Sequence, residues 1–120
     1  MIRIGIIGCG YWGINYVRVF SELPDVIVSR VCDTSDERLL KMHQKFPYVF
    51  PTKLMDELLA DAEVDAVVVA TEASSHYDIT KACLLSNKHV LVEKPLTTTV
   101  KESEELVELA KEKNLKLMVG

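Results

Sequence analysis

MIRIGIIGCGYWG, residues 1–13, carries an apolar run straight into three closely spaced glycines. Ile2, Ile4, Ile6 and Ile7 are β-branched and bunched, as a strand covered on both faces requires. Gly8, Gly10 and Gly13 then spell GxGxxG at the point where a strand would turn into a helix. Gly8 permits the tight turn, Gly10 lets a pyrophosphate approach bare backbone, and Gly13 brings the helix close to the sheet. A helix running from about Tyr11 or Trp12 to Phe20 would offer phosphates its free N–H groups and the positive end of its dipole. Tyr11 and Trp12 therefore join the three glycines as candidate cofactor-side positions.

Glycine-rich turns also occur in loops that bind nothing, so the surroundings decide. Ile14, Val17 and Phe20 recur at threefold spacing after the glycines, and a second apolar run, VIVSRVCD, ends in Asp33. Gly13 and Asp33 are 20 residues apart, the distance at which an acid at the tip of a second strand can accept hydrogen bonds from an adenosine ribose. A carboxylate there repels a 2′-phosphate, so the expected cofactor is NAD over NADP, a preference that Arg38 could soften.

The 120 residues suffice for one domain with a sizeable core, with 48% apolar residues and a slightly positive mean hydropathy. A net charge of −4 spread along the helices argues against nucleic acid or an anionic membrane as a partner. No apolar run reaches the length of a membrane span and no basic leader precedes one, so a cytoplasmic location is expected. Cys9, Cys32 and Cys83 show neither C-x-x-C nor metal-ligand spacing; no disulfide and no metal site is expected.

The rest of the chain alternates strand and helix. The spacing predicts strands at Val26–Cys32, Tyr48–Phe50, Val64–Ala70, Val90–Val92 and Leu115–Val119. Thr34 with Glu37, and Thr99 with Glu102, have capping-box spacing and open two helices. The second of these should run to about Lys113 with Val100, Leu106, Val107 and Ala110 inward. A short helix is expected over Lys53 to Ala60. Ligands of an open parallel sheet lie beyond the carboxyl ends of its strands, near the reversal of strand order. Thr71 and the Ala73-Ser74-Ser75 turn are candidates for cofactor contact on that ground, the alternative being that the serines only cap the next helix. His76 falls on the buried side of that helix and is carried with this cluster, although a histidine so placed is commonly hydrogen-bonded structure. Glu93-Lys94-Pro95 follows the fifth strand, and its proline fixes the backbone and could take a cis peptide.

Six strands and five helices imply an α/β fold, a doubly wound parallel sheet of the Rossmann type with order 3-2-1-4-5-6. The glycine loop, Asp33, the VDAVVVAT run into Ser75-His76, and above all HVLVEKPL at residues 89–96 resemble the glucose–fructose oxidoreductase/inositol dehydrogenase (Gfo/Idh/MocA) family over all 120 residues. Gly10 to Gly13 with Asn15 and Arg18 is similar to its nucleotide-sugar 3-dehydrogenase branch. The resemblance implies hydride exchange between a nicotinamide cofactor and a carbinol carbon of a sugar, cyclitol or nucleotide sugar. By the same resemblance Lys94 would be the catalytic residue, orienting and polarising the substrate hydroxyl, and Glu93 would help place the nicotinamide end.

Glu72 stands where the family often has proline, which leaves that loop less constrained. Family members carry a second, mostly β domain with the proton-transfer residues and most of the sugar pocket. The 120 residues are therefore expected to be an excised dinucleotide-binding domain, binding NAD weakly and turning over nothing, from a protein that is a homo-oligomer at full length. One alternative is a non-catalytic, NAD-binding regulatory module. Another, an S-adenosylmethionine methyltransferase, is disfavoured by the full GxGxxG and by Glu93-Lys94-Pro95.

Overall fold

The computed structural model describes residues 1–120, and the bunched isoleucines do begin a strand at the heart of the sheet. The elements are β1 (Ile2–Ile7), α1 (Tyr11–Ser21), β2 (Val26–Cys32), α2 (Asp36–Lys45), β3 (Phe50–Thr52), α3 (Met55–Ala60), β4 (Ala66–Val69), α4 (His76–Leu85), β5 (His89–Val92), α5 (Val100–Glu112) and β6 (Leu117–Val119). All strands are parallel, and the sheet order is β3-β2-β1-β4-β5-β6, as the alternation of elements demands.

Both faces of the sheet are covered, and the alternation of side chains along each strand sorts them into two cores. Ile4 and Ile6 of β1, Val28 and Val31 of β2 and Val68 of β4 pack with Val17, Leu39 and Met42 beneath α1 and α2. Ile7, Cys32, Val67, Val69, Val90 and Val92 pack on the opposite face with Leu58, Cys83, Leu84 and Leu106 beneath α3, α4 and α5. Gly5 belongs to this second face: a Cβ there would lie 2.8 Å from Leu58 Cδ2, so its absence admits the α3 leucine. Both α4 and α5 are followed, just past the C-cap, by an asparagine with positive φ, Asn87 and Asn114, the residue type that best tolerates the left-handed turn after glycine. Lys88 is buried with its ammonium donating to the carbonyls of Asp61 (2.6 Å) and Val64 (2.8 Å), which fixes the α3–β4 connection.

Several expected boundaries move. The third strand is Phe50–Thr52 rather than Tyr48–Phe50, because Phe46 to Val49 form a turn that buries Val49 and pushes pairing downstream. Pro51 lies within it, paired opposite Val31; at a sheet edge its missing N–H leaves no ladder bond unmade. The cap of α2 is Ser35, whose Oγ accepts the Arg38 N–H, and not Thr34. Strands β4 and β6 and helix α3 are shorter than the apolar runs that contain them, and β5 starts one residue earlier, at His89. In α5 only Leu106 and Ala110 of the four expected residues are buried; Val100 and Val107 are exposed, since the contact stripe follows i, i+4 and Val107 lies roughly 100° around from Leu106.

Candidate functional site

The carboxyl ends of β1, β2 and β4 meet in a cleft of about 420 Å³, lined among others by Gly8, Gly10, Asp33, Arg38, Lys53 and Thr71. The glycine loop forms one wall. Gly8 has φ +98°, and a Cβ on it would lie 2.5 Å from the Ala70 carbonyl oxygen. At Gly13 a Cβ would fall 1.8 Å from the Gly8 carbonyl oxygen. These two glycines are needed by the protein's own backbone. Gly10 is different: its φ of −74° suits any residue, and a Cβ would meet only the Arg38 guanidinium at 3.6 Å. The fold has room for a side chain there, so its absence keeps space for something outside the chain.

The start of α1 agrees. Gly10 is its N-cap with no side-chain bond, and its first turn holds no acid, so the orphan N–H groups and the positive dipole end face the cleft unneutralised. Asp33 stands across from them, nine-tenths buried. Its Oδ2 accepts the Cys9 N–H (2.9 Å) and its Oδ1 the Ser35 N–H (2.8 Å), bonds that stitch the β1 and β2 loops together. Each oxygen retains a further lone pair for a diol. The Arg38 guanidinium lies 3.8 Å from Oδ2 but is mostly in water. Cys9 is buried beside Asp33, and burial first, then the carboxylate, pushes its thiol up to about 12, so it stays protonated.

Thr71 lines the cleft; its hydroxyl shares a 2.7 Å hydrogen bond with the Ser75 hydroxyl, whose own donor reach is to the Glu72 carbonyl. Ser75 caps no N–H of α4, and Ser74 is exposed, outside the cleft lining. His76 is buried beneath, with Nδ1 2.7 Å from the Pro95 carbonyl and Nε2 3.0 Å from the Thr71 carbonyl. It joins the two loops that flank the site and does not open onto the cleft. Lys94 and Pro95 are linked by a cis peptide. Lys94 is exposed and its ammonium is in no ion pair, whereas Lys41, Lys53 and Lys81 are each paired.

Tyr11 and Trp12 do not line the cleft and form an edge-to-face pair with centroids 5.1 Å apart. With Asn15, Tyr16, Arg18 and Glu93 they line a second groove, also about 420 Å³, along α1. Tyr16 is the residue the sequence did not single out. Its hydroxyl donates to Glu93 Oε1, and its only signal was an amphipathic ring beside the buried stripe of α1.

The residues present fit a nicotinamide dinucleotide: the uncapped N–H groups at the start of α1 suit phosphate, and the remaining lone pairs of Asp33 suit a ribose diol. The profile of the Gfo/Idh/MocA oxidoreductases, NAD-binding Rossmann fold, matches residues 2–120. A myo-inositol 2-dehydrogenase of Thermotoga maritima is 31% identical over 99% of this chain and 36% of its own length. The structure of GenD2 from gentamicin A biosynthesis, in complex with NAD, superposes with a TM-score of 0.95 at 30% identity, over 99% of this chain and 34% of that one. Biliverdin reductase from Synechocystis sp. PCC 6803, in complex with biliverdin and NADP+, gives a TM-score of 0.93 at 32% identity, over 98% of this chain and 37% of that one. The chain thus spans about a third of the length of these three relatives. It belongs to the Gfo/Idh/MocA oxidoreductase family, as its NAD-binding Rossmann domain.

Proposed function

We propose that the chain serves an oxidoreductase acting on a CH–OH group of a sugar, cyclitol or nucleotide sugar, and that it binds NAD in preference to NADP. The observation that carries the cofactor reading is the pairing of an uncapped α1 at Gly10 with the buried carboxylate of Asp33 across one cleft. A bound nicotinamide supplies the hydride acceptor. Lys94, unpaired at the end of β5, is the group to hold the substrate hydroxyl and steady the oxygen as its proton leaves. Further chain completes the sugar pocket, so these residues alone bind dinucleotide without turnover.

The preference for NAD follows from burial. The side chain of Asp33 is 7% exposed and that of Arg38 60% exposed, so water screens the cation far more than the anion and a 2′-phosphate meets net repulsion. A thermal-shift titration of the wild type and Asp33→Asn with both cofactors tests this. NAD should raise the wild-type Tm more than NADP does, and the gap should close in the variant. Equal shifts by both cofactors in both proteins would remove Asp33 from the ribose site.

A further inference from the structure

We infer that Tyr16 is a positioning residue for the nicotinamide end of the cofactor, holding the Glu93 carboxylate in the groove along α1. This rests on the dinucleotide reading above and adds a residue to it.

The pair joins two elements 77 residues apart in sequence. Tyr16 is held by its neighbour Phe20, whose ring stacks on it with centroids 6.1 Å apart and planes within 16°. Its hydroxyl is thereby aimed at the end of β5. Glu93 is placed by backbone, its N–H donating to the Val69 carbonyl (3.0 Å), so it bridges the carboxyl ends of β4 and β5. The next N–H, of Lys94, donates to the Gly120 carbonyl (3.1 Å). Gly120 closes over the pair: a Cβ there would stand 3.2 Å from the Tyr16 hydroxyl and 4.0 Å from Glu93 Oε1. The tyrosine stays a donor throughout the working range, since burial and the bond to Glu93 push it up to about 12.

A latch between helix and sheet does not require a charge. Glu93 is half-buried and in no ion pair, and the phenol that grips one oxygen cannot neutralise it. Keeping an unpaired carboxylate partly out of water is costly unless something meets it. The oxidised nicotinamide ring carries the positive charge, and its carboxamide the N–H donors, that such a carboxylate would meet. Glu93 fixed by Tyr16 is pre-organised for them; Glu93 released must be ordered on binding.

ADP-ribose, which has the adenosine and pyrophosphate but no nicotinamide, separates the two halves of the site. NAD and ADP-ribose are titrated against the wild type, Tyr16→Phe, Glu93→Ala and the double variant, following amide chemical shifts. Tyr16→Phe keeps the stacked ring and should leave ADP-ribose affinity unchanged while weakening NAD by about three- to tenfold, the net value of one ordinary hydrogen bond. Glu93→Ala should weaken NAD at least as much, and adding Tyr16→Phe to it should cost nothing more. If Tyr16→Phe changes both ligands by one factor, or neither, or if the two substitutions add, the positioning role is overturned. Failure of ADP-ribose to bind the wild type overturns the dinucleotide reading and this inference with it.

Discussion

Helices α1 and α2 both begin beyond the carboxyl end of a strand, their leading loops joined through Asp33, and they treat their orphan N–H groups in opposite ways. The start of α2 is closed from within: Ser35 Oγ accepts the Arg38 N–H, and Asp36 and Glu37 sit against the positive dipole. Helix α5 does the same with Thr99 and Glu102. Helix α1 does neither. A glycine occupies its cap, no acid lies in its first turn, and the one nearby carboxylate, Asp33, spends its hydrogen bonds on the Cys9 and Ser35 N–H groups. Two helix starts with the same need thus differ in how it is met: side chains close α2, and α1 is left uncapped for the dinucleotide proposed above.

The largest effect should come from breaking the close packing that α1 depends on. Gly13→Ala sets a Cβ against the Gly8 carbonyl, a backbone atom that cannot step aside, so α1 must lift off the loop. The expected loss is on the order of 3 kcal/mol or more in urea unfolding, with no dinucleotide binding. The comparison can then be inverted without disturbing the fold. Gly10→Asp gives α1 the cap and the charge that α2 has, and the φ of −74° and the space beside Arg38 accept it. The ligand-free protein should gain about 0.5–1 kcal/mol, while NAD affinity falls on the order of a hundredfold from repulsion and occupied N–H groups. The mirror substitution, Ser35→Ala, should lose about 1 kcal/mol of stability and leave NAD affinity unchanged, because Asp33 grips the Ser35 backbone and not its hydroxyl. A Gly10→Asp protein that still binds NAD at wild-type strength would mean that α1 is open for no reason connected with phosphate.

What the sequence disclosed is what is decided locally. The β-branched runs announce β1, β2 and β4, and the glycine spacing with Asp33 announces the cleft, because each residue there answers to its immediate neighbours. Thr34 and Ser35 are equally able to cap, and only the bond from the Ser35 N–H to Asp33 Oδ1 decides between them. The register of β3 depends on which residues of an edge find β2, so Pro51 could enter a strand that its type disfavours. Val107 satisfied the spacing rule for α5 but not the actual line of contact with the sheet. His76 finds its partners 5 and 19 residues away, and Tyr16 finds Glu93 across 77, distances at which periodicity carries no information.

The smallest effect concerns the thiol beside the open helix. A helix N-terminus ordinarily lowers a thiol's pKa and makes it reactive, yet Cys9 goes the other way, to about 12, because burial and the Asp33 carboxylate outweigh the dipole. Burial also lifts Cys83 to about 12 and Cys32 to about 11. The folded protein therefore retains protons that the unfolded chain releases near the ordinary thiol value of about 8.5. Stability from these groups is complete below that value and erodes as pH rises from it toward 11–12. The Tm should be insensitive to the thiols between about pH 6 and 8 and fall above about 9, with a shallower fall in Cys83→Ala. Iodoacetamide at pH 8 should label the protein in urea and leave the native form unmodified. Selective labelling of native Cys9 would show that the field of α1 reaches the thiol after all, and that the loop which holds it against Asp33 opens in solution.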